Sequence, residues 1–169
     1  MPVNNVTRML DAKKIRYQAF ELPAEKLGAL ETARMLAVNP AQVFKTIVIL
    51  REKPGKPILA VIPGTAEANL KAIAAAAGEK KVRLPTQREA EAVTGLQAGG
   101  ISPLALLQKG FQVILDLSAE DWDEIHISGG QRGLNIRLAV KDLIDLTRAK
   151  KAVICSPHSS EDAAEAAFL

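Results

Sequence analysis

Two apolar runs with a turn between them constrain this chain more than any other feature. Residues 44–50 read FKTIVIL, residues 58–62 read ILAVI, and Lys53-Pro54-Gly55-Lys56 lies between them. β-Branched side chains pack well on a pleated surface and restrict the backbone toward extended conformations. Pro and Gly punctuate such runs, so the pair predicts an antiparallel hairpin. Side chains alternate along a strand, which places Lys45 on the same face as Ile47 and Ile49. A lysine there is either a partly desolvated cation able to hold a carbonyl or phosphate oxygen, or a strand-end residue reaching back to water.

Around this hairpin the pattern alternates between helix and strand. Asn4 or Asn5 caps a first helix with Val6, Met9 and Leu10 on one stripe, and 16–22 reads as a strand. Residues 30–38 look helical and stop at Asn39-Pro40, because proline disfavours helical geometry in the residue before it. A helix over 69–77 is closed by Gly78, and 81–84 makes a short strand. Thr86 and Glu89 form a capping box for a helix that Gly95 ends. Residues 111–117 read as a strand, and Ser118 is expected to cap a short helix containing Trp122. A second hairpin joins 124–128 to 134–138, followed by a helix over 140–147 and at most a short strand over 152–154. Hairpins among helices exclude a purely parallel sheet and predict an α/β domain with a mixed sheet. The domain is expected to span 1–155, with 156–169 as a polar, acidic surface tail.

Composition removes several classes of protein. The chain has 169 residues, 48% of them hydrophobic and 4% aromatic, so it can enclose a core built mainly of Ile, Leu, Val and Ala. No apolar run approaches the roughly 18 residues that cross a bilayer, the N-terminus lacks a secretory layout, and no membrane partner is expected. A lone Cys155 excludes an internal disulfide framework and a Cys-based zinc site, which fits a cytoplasmic protein. Charge is uneven: 14 Lys and Arg face 7 Asp and Glu up to Pro85, against 8 and 12 beyond it. That asymmetry suits a polyanionic partner, with Lys13, Lys14, Lys71, Lys80, Lys81 and Arg83 as candidate contacts.

Familiar catalytic machinery is missing. The histidines are His126, inside a predicted strand and read as a structural residue, and His158 in the tail. There is no HExxH, no P-loop and no dinucleotide fingerprint, and Cys155, whose one near histidine in sequence is His158 in a poorly structured segment, reads as a buried or bystander thiol rather than a nucleophile. No cofactor or metal is expected. What remains are Lys45-Thr46 and two glycine loops. Gly99-Gly100-Ile101-Ser102-Pro103 can bring backbone N–H groups close to a ligand, or can be an ordinary tight turn. Ser128-Gly129-Gly130, followed by Arg132-Gly133, is either a second such loop or a plain hairpin turn.

In order and spacing, Val43-Phe44-Lys45-Thr46, Gly99–Pro103 and Ser128-Gly129-Gly130-Gln131-Arg132-Gly133-Leu134 resemble the YbaK family of free-standing tRNA-editing proteins, related to the editing domain of bacterial prolyl-tRNA synthetases. The resemblance runs to about Ala152. It implies a single domain with a mixed, partly barrel-like β-sheet flanked by helices. It also implies deacylation of mischarged tRNA, cysteinyl-tRNA carrying the proline anticodon above all, with prolyl-tRNA synthetase as a partner and a monomer or weak dimer as the acting form. By the same resemblance, Lys45 and Gly99 act on the ester. Phe20, Thr46, Gly100, Ile101, Ser102, Pro103, Ser128, Gly129 and Gly130 shape the substrate site. Two positions depart from the pattern: Phe20 stands where the branch commonly has Tyr, and Asn135 where it often has Asp. The readings left open are another specificity such as alanyl-tRNA with water attacking, a non-catalytic tRNA- or synthetase-binding module, and an unrelated small-molecule hydrolase.

Overall fold

The predicted hairpin forms, and it becomes the middle of the larger sheet. In a computed structural model that describes residues 3–156, strand β2 (Phe44–Arg51) pairs antiparallel with β3 (Ile58–Pro63), from Phe44 opposite Pro63 to Ile49 opposite Ile58. All six residues of β3 are buried because the sheet is covered on both faces. Val48, Leu59 and Val61 point into the larger core; Ile49, Ile58, Ala60 and Ile62 point into a second, smaller one. The period-2 alternation therefore serves two apolar layers at once, each fully buried Ile contributing about 1.5–3 kcal/mol.

The sheet is completed by β5 (Val82–Arg83), antiparallel to β2, and by β6 (Gln112–Asp116) and β9 (Lys150–Ala152), both parallel, giving the order β5-β2-β3-β6-β9. A second sheet has the order β1-β8-β7 and is antiparallel throughout: β1 (Tyr17–Glu21), β8 (Leu134–Ala139) and β7 (Glu124–Ser128). The two sheets meet at one bridge, Val43 to His126, and pack through Ile125, Ile127, Ile136 and Leu138. This is the mixed, partly barrel-like α/β arrangement expected, with the sheets abutting rather than closing. A third pairing, unforeseen, joins β4 (Glu67–Ala68) to β10 (Cys155–Ser156).

Helices start and stop largely where side chains dictate. Helix α1 (Asn5–Ala12) has Asn4 as its cap, with Thr7 completing a reciprocal box. In α3 (Leu70–Ala77), Asn69 accepts from Ala72 N and Gly78 closes in the left-handed region. Thr86 and Glu89 box the start of α4 (Gln87–Thr94), and α5 (Val140–Thr147) follows β8 directly. Three expectations need correction. Helix α2 (Ala29–Leu36) ends at Ala37 in the left-handed region, before Asn39-Pro40, and Asn39 instead caps a 3-10 turn over Pro40–Gln42. The turn after β6 is capped by Asp116, not Ser118, and Trp122 lies just past its end because the 3-10 segment stops at Asp121. The last strands are 150–152 and 155–156 rather than 152–154, so Ser156 belongs to a strand and not to a tail. The remainder of the expected tail, from Pro157, lies outside the described residues. Among the described residues no helix is long and apolar enough to cross a membrane.

Candidate active site

Strand β2 emerges from the hairpin beside a cavity of about 310 Å³, and the three sequence motifs reach it from different elements. Lys45 and Thr46 arrive on β2, Gly99 and Ile101 on the loop after α4, and Ser128 at the end of β7. Segment 22–28 forms a further wall with Leu22, Lys26 and Leu27, and Asn135 on β8 adds a polar side chain. A volume of this size is at the lower end of ligand pockets.

Lys45 is half-buried, and its Nζ donates to the carbonyl oxygen of Gly64 at 3.2 Å. Burial lowers the pKa of its ammonium below the ordinary lysine value, while the negative charge of Glu67 pulls in the opposite direction. Gly64 lies just past β3, and its N–H donates to Val43 O at 2.8 Å. A Cβ on Gly64 would sit 1.9 Å from Ala29 Cβ, so only glycine lets the chain turn against α2 there. The sequence reading passed over Gly64; a Pro-Gly pair closing the strongest hairpin was the available signal.

Cys155 is a half-buried thiol, in line with its reading from sequence. It lies in β10, opposite Ala68, and its thiol hydrogen-bonds to Asp116 beside Lys45. Burial, followed by the Asp116 hydrogen bond and charge, pushes the thiol up to about 12. Asp116 is 4% exposed. Burial disfavours its charge, but hydrogen bonds from Ser118, the Ile154 N–H at 3.0 Å and Cys155 hold its carboxyl below the ordinary value. A thiol so protonated is no nucleophile at neutral pH; it packs against the smaller core, within reach of the charge on Lys45, and does not line the cavity.

At the other end the two glycine loops press on each other. Gly99 has φ +88°, and among the described residues its N–H donates to no protein acceptor. Gly100 is buried, and a Cβ there would lie 2.9 Å from the backbone of Gln131 and Arg132. The Arg132 side chain spans the same contact, its Nε donating to Ala98 O at 2.6 Å. Gly133, at φ +85°, leaves room for Leu22 O and accepts from Leu22 N at 2.7 Å.

Of the eleven residues singled out from sequence, Lys45, Thr46, Gly99, Ile101 and Ser128 border the cavity, whereas six stand behind it. Gly100 packs the loops together. Ser102 is fully buried and caps a 3-10 segment (Pro103–Lys109) by accepting from Leu104 N at 3.2 Å, with Pro103 at its first position. Gly129 lies against Leu134, and Gly130 against Val6 and Ala105. Phe20 is half-buried on β1, its ring centroid 5.6 Å from that of His126. The six candidate phosphate contacts are all exposed and none borders the cavity; Lys81 and Arg83 pair with Glu52 and Glu89.

The sequence profile of the aminoacyl-tRNA editing domain matches residues 24–146, which takes in the hairpin, both glycine loops and every cavity residue except Leu22. The chain belongs to this family. Its activity is therefore that of an editing domain, the deacylation of mischarged tRNA. A relative from Enterococcus faecalis (strain ATCC 700802 / V583), named "Putative Cys-tRNA(Pro)/Cys-tRNA(Cys) deacylase EbsC", is 36% identical over 152 residues, covering 89% of this chain and 92% of that one. Two crystal structures share the fold. The hypothetical protein APE2540 has a TM-score of 0.83 at 23% identity, covering 90% of this chain and all of its own. "A putative trans-editing enzyme for prolyl tRNA synthetase" has a TM-score of 0.74 at 23% identity, covering 92% and all of its own. The family match stops before β9 and β10, so Cys155 lies beyond the matched segment.

Proposed function

We propose that this editing-domain protein removes cysteine from tRNA(Pro) in trans, by assisting an attack of the substrate's own thiol on the ester. The supporting observation is one cavity that joins a half-buried ammonium, an unpaired Gly99 N–H and the Ser128 hydroxyl, with no imidazole on its lining among the described residues. An aminoacyl ester is already activated, so orientation and stabilisation of the developing oxyanion suffice. The substrate sulfur forms a bond to the ester carbonyl carbon, the carbon–oxygen bond to the ribose breaks, and the thiol proton ends on the departing hydroxyl. The products are a cyclic thiolactone and free tRNA. A free thiol with a pKa of about 8.5 needs only modest help to ionise, and the Lys45 cation supplies it.

In this reading Gly99 and Lys45 act on the carbonyl and the sulfur. Thr46, Ile101 and Ser128 shape the pocket, while Gly100, Ser102, Pro103, Gly129, Gly130 and Phe20 hold its walls in place. The related Enterococcus protein carries a cysteinyl-tRNA deacylase name, which favours cysteine over alanine as the acyl group. Prolyl-tRNA synthetase would deliver the mischarged tRNA in the cytoplasm to a monomer or weak dimer, and the domain would run through Ser156 of β10 with a tail after it.

The test is a deacylation panel of cysteinyl-, alanyl- and seryl-tRNA(Pro), with Lys45→Ala as control. The expected result is turnover of the cysteinyl ester alone, recovered as thiolactone, and a loss of about 10²–10³-fold in the variant. Equal turnover of the alanyl ester would overturn the thiol route, and full activity of Lys45→Ala would remove the role of the lysine.

A further inference from the structure

The wall opposite Lys45 contains a hydrogen-bond pair that the reaction described so far does not use. Asn135 on β8 borders the cavity and is 6% exposed; across the strand pair it faces Ser128 on one side and Phe20 on the other. Behind it, His126 is fully buried, with its Nδ1 2.9 Å from Asn135 Oδ1. Among the described residues, His126 Nε2 is buried and has no partner, whereas Asn135 Nδ2 makes no hydrogen bond and is not sealed off.

Two proton arrangements satisfy the Nδ1 contact. In the first, Nδ1–H donates to Asn135 Oδ1, and Nε2 keeps a bare lone pair. In the second, the amide is reversed, Nδ1 accepts, and Nε2 carries a hydrogen with nowhere to go. A buried N–H without an acceptor is rarer and costlier than an under-used acceptor, which selects the first. The charged imidazolium would carry that same orphaned N–H, and it would face the Arg137 guanidinium, since Arg137 is the cross-strand partner of His126. Burial, which here leads the causes, lowers the imidazole pKa; the Asn135 bond and Glu124 oppose it, and Arg137 adds to it.

We infer that His126 is a positioning residue that locks the Asn135 amide with its NH2 group turned into the cavity, so that this wall donates a hydrogen bond to the substrate. The ligand atom it takes is a lone pair on oxygen or sulfur: the substrate sulfur, the terminal ribose 2′-oxygen or the ester carbonyl. A carboxylate at this position would present the opposite polarity. The Asn–His pair is therefore a specificity element of this chain rather than a mere loss of charge. The inference rests on the deacylase reading for the name of the substrate, but not for the orientation of the amide.

Long-range 1H–15N correlation spectra of the wild-type protein at neutral pH decide the orientation without any activity measurement. The expected pattern for His126 is the neutral Nδ1–H tautomer. The Nε2–H pattern, or an imidazolium, would overturn the inference. Kinetics then test the consequence. Asn135→Ala is expected to lower kcat/KM on cysteinyl-tRNA(Pro) about tenfold, and His126→Leu by a similar factor although His126 does not touch the cavity. The double variant should be no worse than either single one, since both remove the same bond. Losses that multiply would show independent roles and sink the coupling. Two substrate arms, compared by binding affinity because the first has no thiol to attack its own ester, locate the acceptor: an aminobutyryl ester, which lacks sulfur, and tRNA ending in 2′-deoxyadenosine. The substrate on which Asn135→Ala no longer matters identifies the atom, persistence on both assigns the ester carbonyl, and no loss on the natural ester overturns the donor.

Discussion

Of the two groups proposed to act on the ester, one is a side-chain ammonium fixed to regular secondary structure and the other is a backbone N–H on a loop. Lys45 is rooted in β2, inside a sheet covered on both faces, and its Nζ is tied to the carbonyl of Gly64. Gly99 is held because Gly100 allows its loop to lie against Gln131 and Arg132, with the Arg132 side chain bridging to Ala98. A charge can act over several ångströms, so its end of the site needs a controlled dielectric and counter-charges more than exact placement. A neutral N–H acts only within hydrogen-bond distance, so its end needs exact placement and no charge at all. The glycines serve both ends for the same reason, the close approach of two backbones.

That contrast can be broken most severely at Gly64. Gly64→Ala places a methyl group where Ala29 already is, and it should cost about 1–3 kcal/mol of stability by overpacking. Displacing the Lys45 anchor by about an ångström should also lower deacylation about a hundredfold. Thermal melts and single-turnover assays read the two effects separately, and an unchanged rate would detach Lys45 from its carbonyl. Gly100→Ala should act at the loop end, with a smaller loss of stability and a drop in kcat of about tenfold, because the loops part without touching Lys45. A matching change in the alkaline limb of the pH profile would show that the two ends are not separable.

The pH profile itself sharpens the charged end. The Lys45 pKa is depressed below 10.5, so deacylation should fall as pH rises toward that value, and Glu67→Gln should move the fall to lower pH. Stability runs the other way. Between the lowered and ordinary values the unfolded chain binds the proton that the folded chain has released, so the Lys45 contribution to stability rises with pH across that window. An activity limb at or above the ordinary lysine value would show that Lys45 is not desolvated. The smallest effect is expected at Cys155. With its thiol pushed up to about 12, it should resist iodoacetamide near neutral pH. Cys155→Ser keeps a donor for Asp116 and should change the rate by about threefold or less. Rapid alkylation would contradict a half-buried thiol held protonated beside Asp116.

Much of the fold was legible because it is written at short range. The central hairpin, the Asn4 and Thr86 caps, and the Gly78 and Gly95 stops each depend on residues within a few positions of one another. The misread ends have local causes too: Ala37 takes a left-handed cap that carries no glycine signal, and Asp116 pre-empts Ser118 by capping two residues earlier. The five singled-out residues that border the cavity were visible as motifs, but which motif residues face the hollow and which pack behind it was not. Ser102 and Gly129 look as exposed in sequence as Ser128, yet they spend themselves on a cap and on contact with Leu134.

The sequence by itself determined the strand and helix pattern, the mixed α/β class, the placing of Lys45 on an apolar face and the absence of familiar catalytic machinery, since these follow from alternation, caps and residue inventory. Only the tertiary structure decided that Gly64 holds the ammonium, that Cys155 lies beside it through β10, and that His126 turns the Asn135 amide into the cavity. Those facts depend on strand register and on contacts between segments far apart in the chain, and a one-residue change of register would have sent each of these side chains to the opposite face.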